Sequence, residues 1–286
     1  MLILLNRIIL TIFISVVSFS AFSEEINTNY LKTDWSFKGI FGTFDRASLQ
    51  RGYQVYQEVC SGCHSVQHLS YRNLSEKGGP EFSVEEAKAI AAQFEVEDGP
   101  NSDGEMFMRP GRLSDTFVKP YPNVEASTAA NGGAYPPDMS VLTKARKGGA
   151  DYIYSLLLGY EEAPTGFELD EGVYYNKYMP GNKIKMISPL SDGLVEYSDG
   201  TPSTTAQMAK DVTAFLVWVA EPHLESQHRM GFKSIIYLII LFILVYMSKQ
   251  KVWSRFGSKK EPEEETFDKV ERAVTEYEGE DPKTFK

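Results

Sequence analysis

The sequence has 286 residues, of which 42% are hydrophobic and 24% are charged, and its formal net charge is −10. This composition excludes a chain that is disordered throughout, because it holds enough apolar side chains for one sizeable folded core. Residues 24–228 contain 29 acidic residues against 17 basic ones, a net charge of −12. A nucleic-acid partner is therefore not expected, whereas a basic protein is a plausible partner.

The first predicted element is an apolar run near the N-terminus. Arg7 precedes the run from Ile8 to Phe19, and Ala21, Phe22 and Ser23 follow it, directly before two glutamates. This order is typical of a secretory signal peptide, and the run is short for a membrane span. We therefore expect residues 1–23 to be an export signal that is cleaved after Ser23. An uncleaved first membrane helix is the alternative.

A helix is predicted to follow Asp45, whose carboxylate can cap its first turn. The spacing i, i+4, i+7, i+11 of one helical face is occupied by Leu49, Tyr53, Tyr56 and Cys60. This face ends at the stretch "CSGCH", residues 60–64, which contains the only two cysteines of the chain.

The middle of the chain is predicted to form long irregular loops. Gly, Pro and Asn recur in "EDGPNSDGE", "RPGRLSD" and "NGGAYPPD", and these residues favour turns over regular strands. The segment from Glu95 to Glu105 holds five acidic residues and no basic one. We expect it to be an exposed loop.

A second helix is predicted late in the chain, with Thr201 and Pro202 as its cap and first-turn residues. Pro222 follows its expected end. Its apolar stripe consists of Met208, Val212, Phe215, Leu216 and Val219.

A membrane span is predicted from Met230 to Ser248. At about 1.5 Å per residue, these nineteen residues reach roughly 28 Å, close to the thickness of a bilayer core. A buried core helix is the alternative. Five cations follow the span and two precede it, which predicts a cytoplasmic C-terminal side. The predicted segments are thus an exported domain at 24–228, an anchor at 229–249 and a cytoplasmic tail at 250–286.

The motif C-x-x-C-H is the signature of covalent c-type haem attachment. In this interpretation Cys60 and Cys63 form thioethers to haem, and His64 is an iron ligand. A redox disulfide of the thioredoxin type would require a preceding strand and a parallel sheet, which the sequence does not predict. A zinc site would require a second pair of ligands.

The second axial ligand is not decided by spacing. The histidines at positions 68, 223 and 228 are interpreted as ordinary surface or membrane-edge residues. A methionine is the usual partner in an electron carrier, because a thioether stabilises ferrous iron and raises the potential. The open candidates are Met106, Met108, Met139, Met179 and Met186.

The chain resembles the cytochrome c1 family over nearly all of its predicted mature length. The resemblance is carried by "RGYQVYQEVCSGCHSV", "EDGPNSDGEMFMRPGRLSD", "AANGGAYPPDMS", "DYIYSLLLGY", "YYNKYMPG" and "DGTPSTTAQMAKDVTAFLVWVAEP". It implies a mostly α fold, namely a cytochrome c-like haem domain with long loop insertions and one C-terminal transmembrane helix. It also implies one covalently bound haem c.

The resemblance implies roles for three further residues. Met186, in "NKIKMISPL", matches the axial methionine of the family, and Arg146 and Tyr152 match residues that hold a haem propionate. The chain departs from many relatives after Met186, because two residues separate it from Pro189.

The resemblance further implies a subunit of the cytochrome bc1 complex, the quinol-cytochrome-c reductase of respiration. Its expected partners are cytochrome b, a Rieske iron–sulfur protein and a soluble or tethered cytochrome c, in a dimeric complex. A bacterial inner membrane with the haem domain in the periplasm is the expected location. The alternatives are a haem enzyme with an open iron site and a different membrane-bound c-type carrier.

Overall fold

The computed structural model describes residues 29–255 together with 271 and 272. The predicted signal peptide and most of the predicted tail lie outside the described residues. The described residues up to Ser226 form one compact unit, and the described residues from Gln227 on belong to a second. Most of the regular structure is helical, which confirms the predicted fold class.

Seven α-helices lie in the described part of the chain. They are α1 (Arg46–Val55), α2 (Val84–Ala91), α3 (Val124–Ala130), α4 (Leu142–Ala145), α5 (Gly149–Leu158), α6 (Thr205–Ala220) and α7 (Leu224–Trp253). Two antiparallel pairs of short strands are also present: β1 (Glu95–Asp98) with β2 (Phe107–Pro110), and β3 (Tyr174–Tyr175) with β4 (Lys183–Ile184). Long connections without regular structure join these elements.

Helix α1 confirms the first helix prediction. The Asp45 carboxylate accepts hydrogen bonds from the backbone N–H groups of Ala47 and Ser48, at 3.0 and 3.4 Å, so it caps the helix as expected. The helix continues into one wider, π-helical turn at Tyr56–Cys60, which ends at the first cysteine. Turns of this kind occur frequently at functional sites.

Helix α6 begins three residues later than predicted, so the predicted cap at Thr201 is wrong. The true cap is Thr204, whose hydroxyl accepts a hydrogen bond from the N–H of Gln207 at 3.2 Å. The carboxylate of Asp192 accepts another from the N–H of Thr205 at 2.6 Å. These acceptors satisfy N–H groups that the first helical turn leaves without intrahelical partners. The predicted apolar stripe is buried, and the helix ends before Pro222 as expected.

Helices α1 and α6 cross very closely at Gly52. A Cβ atom at this position would collide with the carbonyl oxygen of Asp211 and would lie 2.7 Å from the Cβ of Phe215. The buried Asp211 side chain accepts hydrogen bonds from Ser48 Oγ at 2.6 Å and from Arg51 Nε at 2.8 Å. A buried carboxylate needs such partners because it has lost its hydration. The contact therefore fixes α1 and α6 against each other.

An aromatic cluster packs around the end of α1. The rings of Tyr56 and Phe215 stack at a centroid distance of 5.6 Å, and those of Tyr71 and Phe117 stack at 4.7 Å. Tyr53 contacts Phe117 and Phe215 edge to face. These large side chains bury much apolar surface, so the position from which the "CSGCH" segment leaves α1 is well determined.

The acidic segment from Glu95 to Glu105 was expected to be an irregular loop, but only part of it is one. Residues Glu95–Asp98 form β1 and pair with β2, so the segment is part of a hairpin. Glu95 and Glu97 remain exposed, as predicted. The Asp98 carboxylate instead forms an ion pair with Arg109, which also binds Asp115.

Helix α7 contains the predicted membrane span and is longer than predicted. It has 30 residues, or about 45 Å at 1.5 Å per residue. Within the described residues it is the one helix long and apolar enough to cross a membrane. Its large apolar side chains from Ile235 to Met247 are exposed, as expected for a surface that faces lipid. The predicted transmembrane helix is thereby confirmed.

Candidate functional site

The "CSGCH" segment forms a tight turn directly after α1. The backbone N–H groups of Cys63 and His64 both donate to the carbonyl of Cys60, at 3.1 and 2.9 Å. Both thiols are free, with Cys60 half-buried and Cys63 exposed. Among residues 29–255, no group of three or more His, Cys, Asp or Glu side chains is placed so that it could hold a metal ion.

The His64 ring is held by one hydrogen bond to the backbone. Its Nδ1 lies 2.8 Å from the carbonyl oxygen of Pro137. A carbonyl oxygen only accepts, so Nδ1 carries the proton and Nε2 carries the lone pair that a metal requires. Burial lowers the pKa of His64, which favours the neutral ring.

Residues 65–67 and 138–140 are joined by a dense set of hydrogen bonds, which we call the clasp. The N–H of Met139 donates to the carbonyl of Ser65 at 2.8 Å, and the N–H of Gln67 donates to Ser140 Oγ at 2.8 Å. The Asp138 carboxylate accepts from the Ser65 hydroxyl at 2.7 Å and from the N–H of Ser140 at 2.9 Å. Sequence reasoning missed the clasp and considered only Met139 among these residues, as a candidate iron ligand. The available signal was the "PPDMS" stretch, since Asp and Ser commonly bond to nearby backbone groups.

Three of the five candidate methionines lie in places that do not favour iron ligation. Met139 is buried in the hydrophobic core, with 5% of its surface exposed. Met106 and Met108 are exposed at and near β2, on the acidic hairpin. The two remaining candidates, Met179 and Met186, are half-buried and lie close together in sequence.

The structure distinguishes Met179 from Met186 by their partners. The Tyr152 hydroxyl lies 3.7 Å from the sulfur of Met179, within the range of a hydrogen bond to sulfur. The Tyr160 hydroxyl donates to the backbone carbonyl of Met186 at 3.0 Å. The Met186 sulfur itself receives no hydrogen bond from the described residues. Burial raises the pKa of Tyr160, so this hydroxyl stays protonated and can donate.

The Met186 segment also approaches the chain that leads to Pro137. Lys185 Nζ lies 3.5 Å from the carbonyl oxygen of Gly132, which has a left-handed backbone conformation at φ 60°. Glycine adopts this conformation without the steric cost that a Cβ would add. The stretch from Gly132 to Pro137 therefore contacts Lys185 near one end and His64 at the other.

The structure brings Arg146 and Tyr152 together. The Tyr152 side chain is buried on α5, and the exposed Arg146 side chain lies close enough for its charge to act on the Tyr152 hydroxyl. Burial raises the pKa of Tyr152, and the positive charge of Arg146 offsets part of this effect. His68 and His223 have exposed side chains, in keeping with surface positions.

These residues fit a covalently attached haem. The two thiols are not joined to each other, the imidazole presents an unprotonated Nε2, and the Met186 thioether is open on a half-buried loop. This donor set, one imidazole and one thioether, is typical of low-spin electron carriers.

Comparison with known proteins defines the relationship. The sequence profile of the Cytochrome C1 family matches residues 35–256, which is most of the chain. The chain belongs to the cytochrome c1 family. The resemblance inferred from the sequence is thus confirmed.

Three relatives illustrate the range of the cytochrome c1 family. "Cytochrome b/c1" of Bradyrhizobium diazoefficiens is 50% identical over 77% of this chain, which spans only 35% of that longer protein. "Cytochrome c1-2, heme protein, mitochondrial" of Solanum tuberosum is 50% identical over 79% of this chain and 86% of its own length. "Cytochrome b-c1 complex catalytic subunit, mitochondrial" of Candida albicans is 47% identical over 79% of this chain and 78% of its own.

Proposed function

We propose that this chain is the haem-carrying electron-transfer subunit of a cytochrome b–c1 complex. The observation that carries the proposal is the "CSGCH" turn, with two free thiols and the Nδ1 of His64 bound to the Pro137 carbonyl. Membership of the cytochrome c1 family supports it, and so do the names of relatives that refer to heme and to the b–c1 complex.

The cysteines would attach the cofactor and the axial residues would hold its iron. Each thiol of Cys60 and Cys63 would add across a haem vinyl group, with sulfur on one carbon and hydrogen on the other. His64 would ligate through Nε2 and Met186 through its sulfur. Haem c supplies one-electron redox chemistry at low reorganisation cost when its iron has two strong axial ligands.

Arg146 and Tyr152 would hold a haem propionate. The electrostatic influence of Arg146 on Tyr152 supports a shared role, because a guanidinium and a hydroxyl can both donate to one carboxylate. The exposure of Arg146 leaves its other donors accessible.

The chain would receive one electron at a time from a Rieske iron–sulfur protein and pass it to a c-type cytochrome. It would do no bond chemistry on a substrate itself. Quinol oxidation and proton release would belong to the complex, the quinol-cytochrome-c reductase, with cytochrome b as the other core partner and a dimer as its assembled state. This role would need no open position on the iron, because electron transfer does not require a substrate to bind the metal.

Purification in mild detergent with a peptide and cofactor inventory tests this function. We expect cytochrome b and a Rieske protein to co-purify, and one haem to remain on the peptide with residues 60–64 after extraction with acidified acetone. Extractable haem, or purification with oxidase subunits instead, would contradict the proposal.

The domain order 1–23, 24–228, 229–249 and 250–286 implies a periplasmic haem domain on a bacterial inner membrane. The excess of cations after the span supports this orientation. Protease added to intact spheroplasts should digest the haem domain and spare an epitope placed after Lys260. Protection of the haem domain together with loss of the epitope would mean the opposite orientation.

The acidic hairpin is the proposed docking site for a basic electron acceptor. Glu95, Glu97 and Asp103 are exposed and form no ion pair within the described residues, whereas Asp98 is bound to Arg109. Opposite charges raise the encounter rate, and salt screens them over about 8 Å at physiological ionic strength. The hairpin would thus steer the acceptor rather than set its final affinity.

Neutralising three of the four exposed acids of the hairpin, Glu95, Glu97 and Asp103, tests this docking site. The triple variant E95Q/E97Q/D103N should reduce a basic cytochrome c about tenfold more slowly at low salt, with an unchanged haem potential. The matched control is E161Q/E162Q/E168Q, which changes the net charge equally at other exposed glutamates. Equal second-order rates for the two variants would place the docking site elsewhere.

A further inference from the structure

The clasp lies directly beside the hydrogen bond that orients His64. Ser65 follows His64 in the chain, and Asp138 follows Pro137, whose carbonyl receives the Nδ1 proton. We propose that Asp138 is a positioning residue for His64, whose carboxylate holds the Pro137 carbonyl on the imidazole N–H. This inference rests on the proposed role of His64 as an iron ligand.

Both oxygens of the Asp138 carboxylate take part. Oδ1 accepts from the N–H of Ser140 at 2.9 Å, and Oδ2 accepts from the Ser65 hydroxyl at 2.7 Å and from the N–H of Gln67 at 3.2 Å. The carboxylate thus connects the segment that follows His64 with the segment that follows Pro137. Because both of these segments are bound, the carbonyl of Pro137 cannot turn away from the ring without straining several hydrogen bonds.

The charge of Asp138 is balanced by hydrogen-bond donors. Among residues 29–255 it forms no ion pair with Lys, Arg or His. Burial opposes ionisation, but hydrogen bonds from Ser140 and Ser65 outweigh it and hold the pKa of Asp138 below its usual value. The group is therefore a carboxylate at neutral pH, and its negative charge acts on the His64 ring.

Two effects of this arrangement would favour oxidised iron. An imidazole whose N–H donates to a carbonyl is a more basic ligand at its other nitrogen, so it stabilises ferric iron. A nearby negative charge also stabilises the additional positive charge of the ferric state. Asp138 would accordingly lower the potential while fixing the ring.

Asp138→Ala and Asp138→Asn, made in the full chain and purified in its complex, test the proposal. We expect the midpoint potential to rise in the Ala variant and to rise less in the Asn variant, which keeps one acceptor oxygen. The paramagnetically shifted Nδ1–H signal of His64 should exchange with D2O about tenfold faster, as expected when roughly one hydrogen bond is lost.

The matched control is Asp192→Ala. Asp192 also accepts from one backbone N–H and one hydroxyl, both of Thr205, and it takes no part in the clasp. The Asp192→Ala substitution should lower the stability of the protein without changing the midpoint potential or the exchange of the His64 Nδ1–H. Wild-type potential and exchange in both Asp138 variants, or equal shifts in the control, would reduce Asp138 to an ordinary structural residue.

If the Ala variant does not assemble with haem, Asp138→Asn and Ser65→Ala decide the question, with the same directions expected. The wild-type spectrum separates this inference from the proposed function. A wild-type chain without low-spin histidine–methionine haem would contradict the proposed function, whereas unchanged variants of a normal wild type would contradict only the role of Asp138.

Discussion

The two segments proposed to hold the iron differ in how firmly the protein holds them. On the His64 side, Asp138 accepts three hydrogen bonds, and the backbones of Ser65 and Met139 are directly bonded. On the Met186 side, one tyrosine hydroxyl binds the backbone, and the next residue, Ile187, is 64% exposed. The His64 segment is thus held by many hydrogen bonds, whereas the Met186 segment is held by few. Dissociation of Met186 is therefore the easier way to free a coordination position on the iron.

Removing the thioether is expected to have the largest effect on this comparison. Met186→Leu should lower the midpoint potential by a few tenths of a volt, out of the roughly 0.8 V that axial ligands span in haem proteins. It should also let carbon monoxide bind to the ferrous protein, because leucine has no atom that can ligate iron. Redox titration and carbon monoxide difference spectra provide the measurements.

Met179→Leu is the matched control for this variant. Met179 is the other half-buried methionine of the same region, and its sulfur contacts the Tyr152 hydroxyl. The Met179→Leu variant should keep the wild-type midpoint potential and should not bind carbon monoxide. If Met186→Leu kept the wild-type potential and did not bind carbon monoxide, while Met179→Leu changed both properties, Met179 would be the iron ligand instead of Met186.

The next effect in size concerns the frame that carries both segments. Asp211→Ala removes the buried partner of Arg51, whose side chain is only 15% exposed, and leaves it only the ion pair with the more exposed Asp199. We expect the free energy of unfolding to fall by about 3 kcal/mol, the scale for breaking a buried ion pair. Denaturant titration followed by tryptophan emission measures it.

Because α1 leads into "CSGCH" and α6 follows the Met186 segment, Asp211→Ala should loosen both sides together. Glu196→Ala, at an exposed position that forms no side-chain hydrogen bond or ion pair in the described chain, is the control and should stay within about 0.5 kcal/mol of wild type. A selective change on one side only would show that the helices do not act as a common frame.

The smallest expected effect comes from the single hydroxyl on the methionine side. Tyr160→Phe removes the hydrogen bond to the Met186 carbonyl, worth about 1 kcal/mol, and keeps the ring. We expect carbon monoxide to bind about fivefold faster as the methionine dissociates more often, with the His64 N–H exchange unchanged. Equal effects on both sides would remove the contrast between the two segments.

Tyr154→Phe provides the control for the loss of a hydroxyl. Tyr154 lies on α5 and its ring contacts Trp35, but its hydroxyl forms no hydrogen bond in the described part of the chain. Its rate of carbon monoxide binding should equal that of wild type. A faster rate would show that any loss of a tyrosine hydroxyl near α5 opens the site.

Local patterns in the sequence were sufficient for the elements that depend on near neighbours. Asp45 caps α1 as predicted because a cap bonds to N–H groups within three residues. The apolar length of the anchor and the spacing of "CSGCH" are likewise local properties. The start of α6 was misplaced, since the cap is Thr204 rather than Thr201, and Asp192, thirteen residues from Thr205, adds a distant contact at this end.

The sequence by itself therefore determined the cofactor class and the anchor, which follow from a short motif and from a long apolar run. It also determined the family and the mostly helical fold, which follow from the resemblance of many separate stretches. The tertiary structure alone decided which distant side chains meet. Pro137 and Asp138 lie 73 residues from the groups they bind at His64 and Ser65, and Tyr160 lies 26 residues from Met186. Periodicity carries no information about such contacts, because they depend on how the long loops close over the α1–α6 frame.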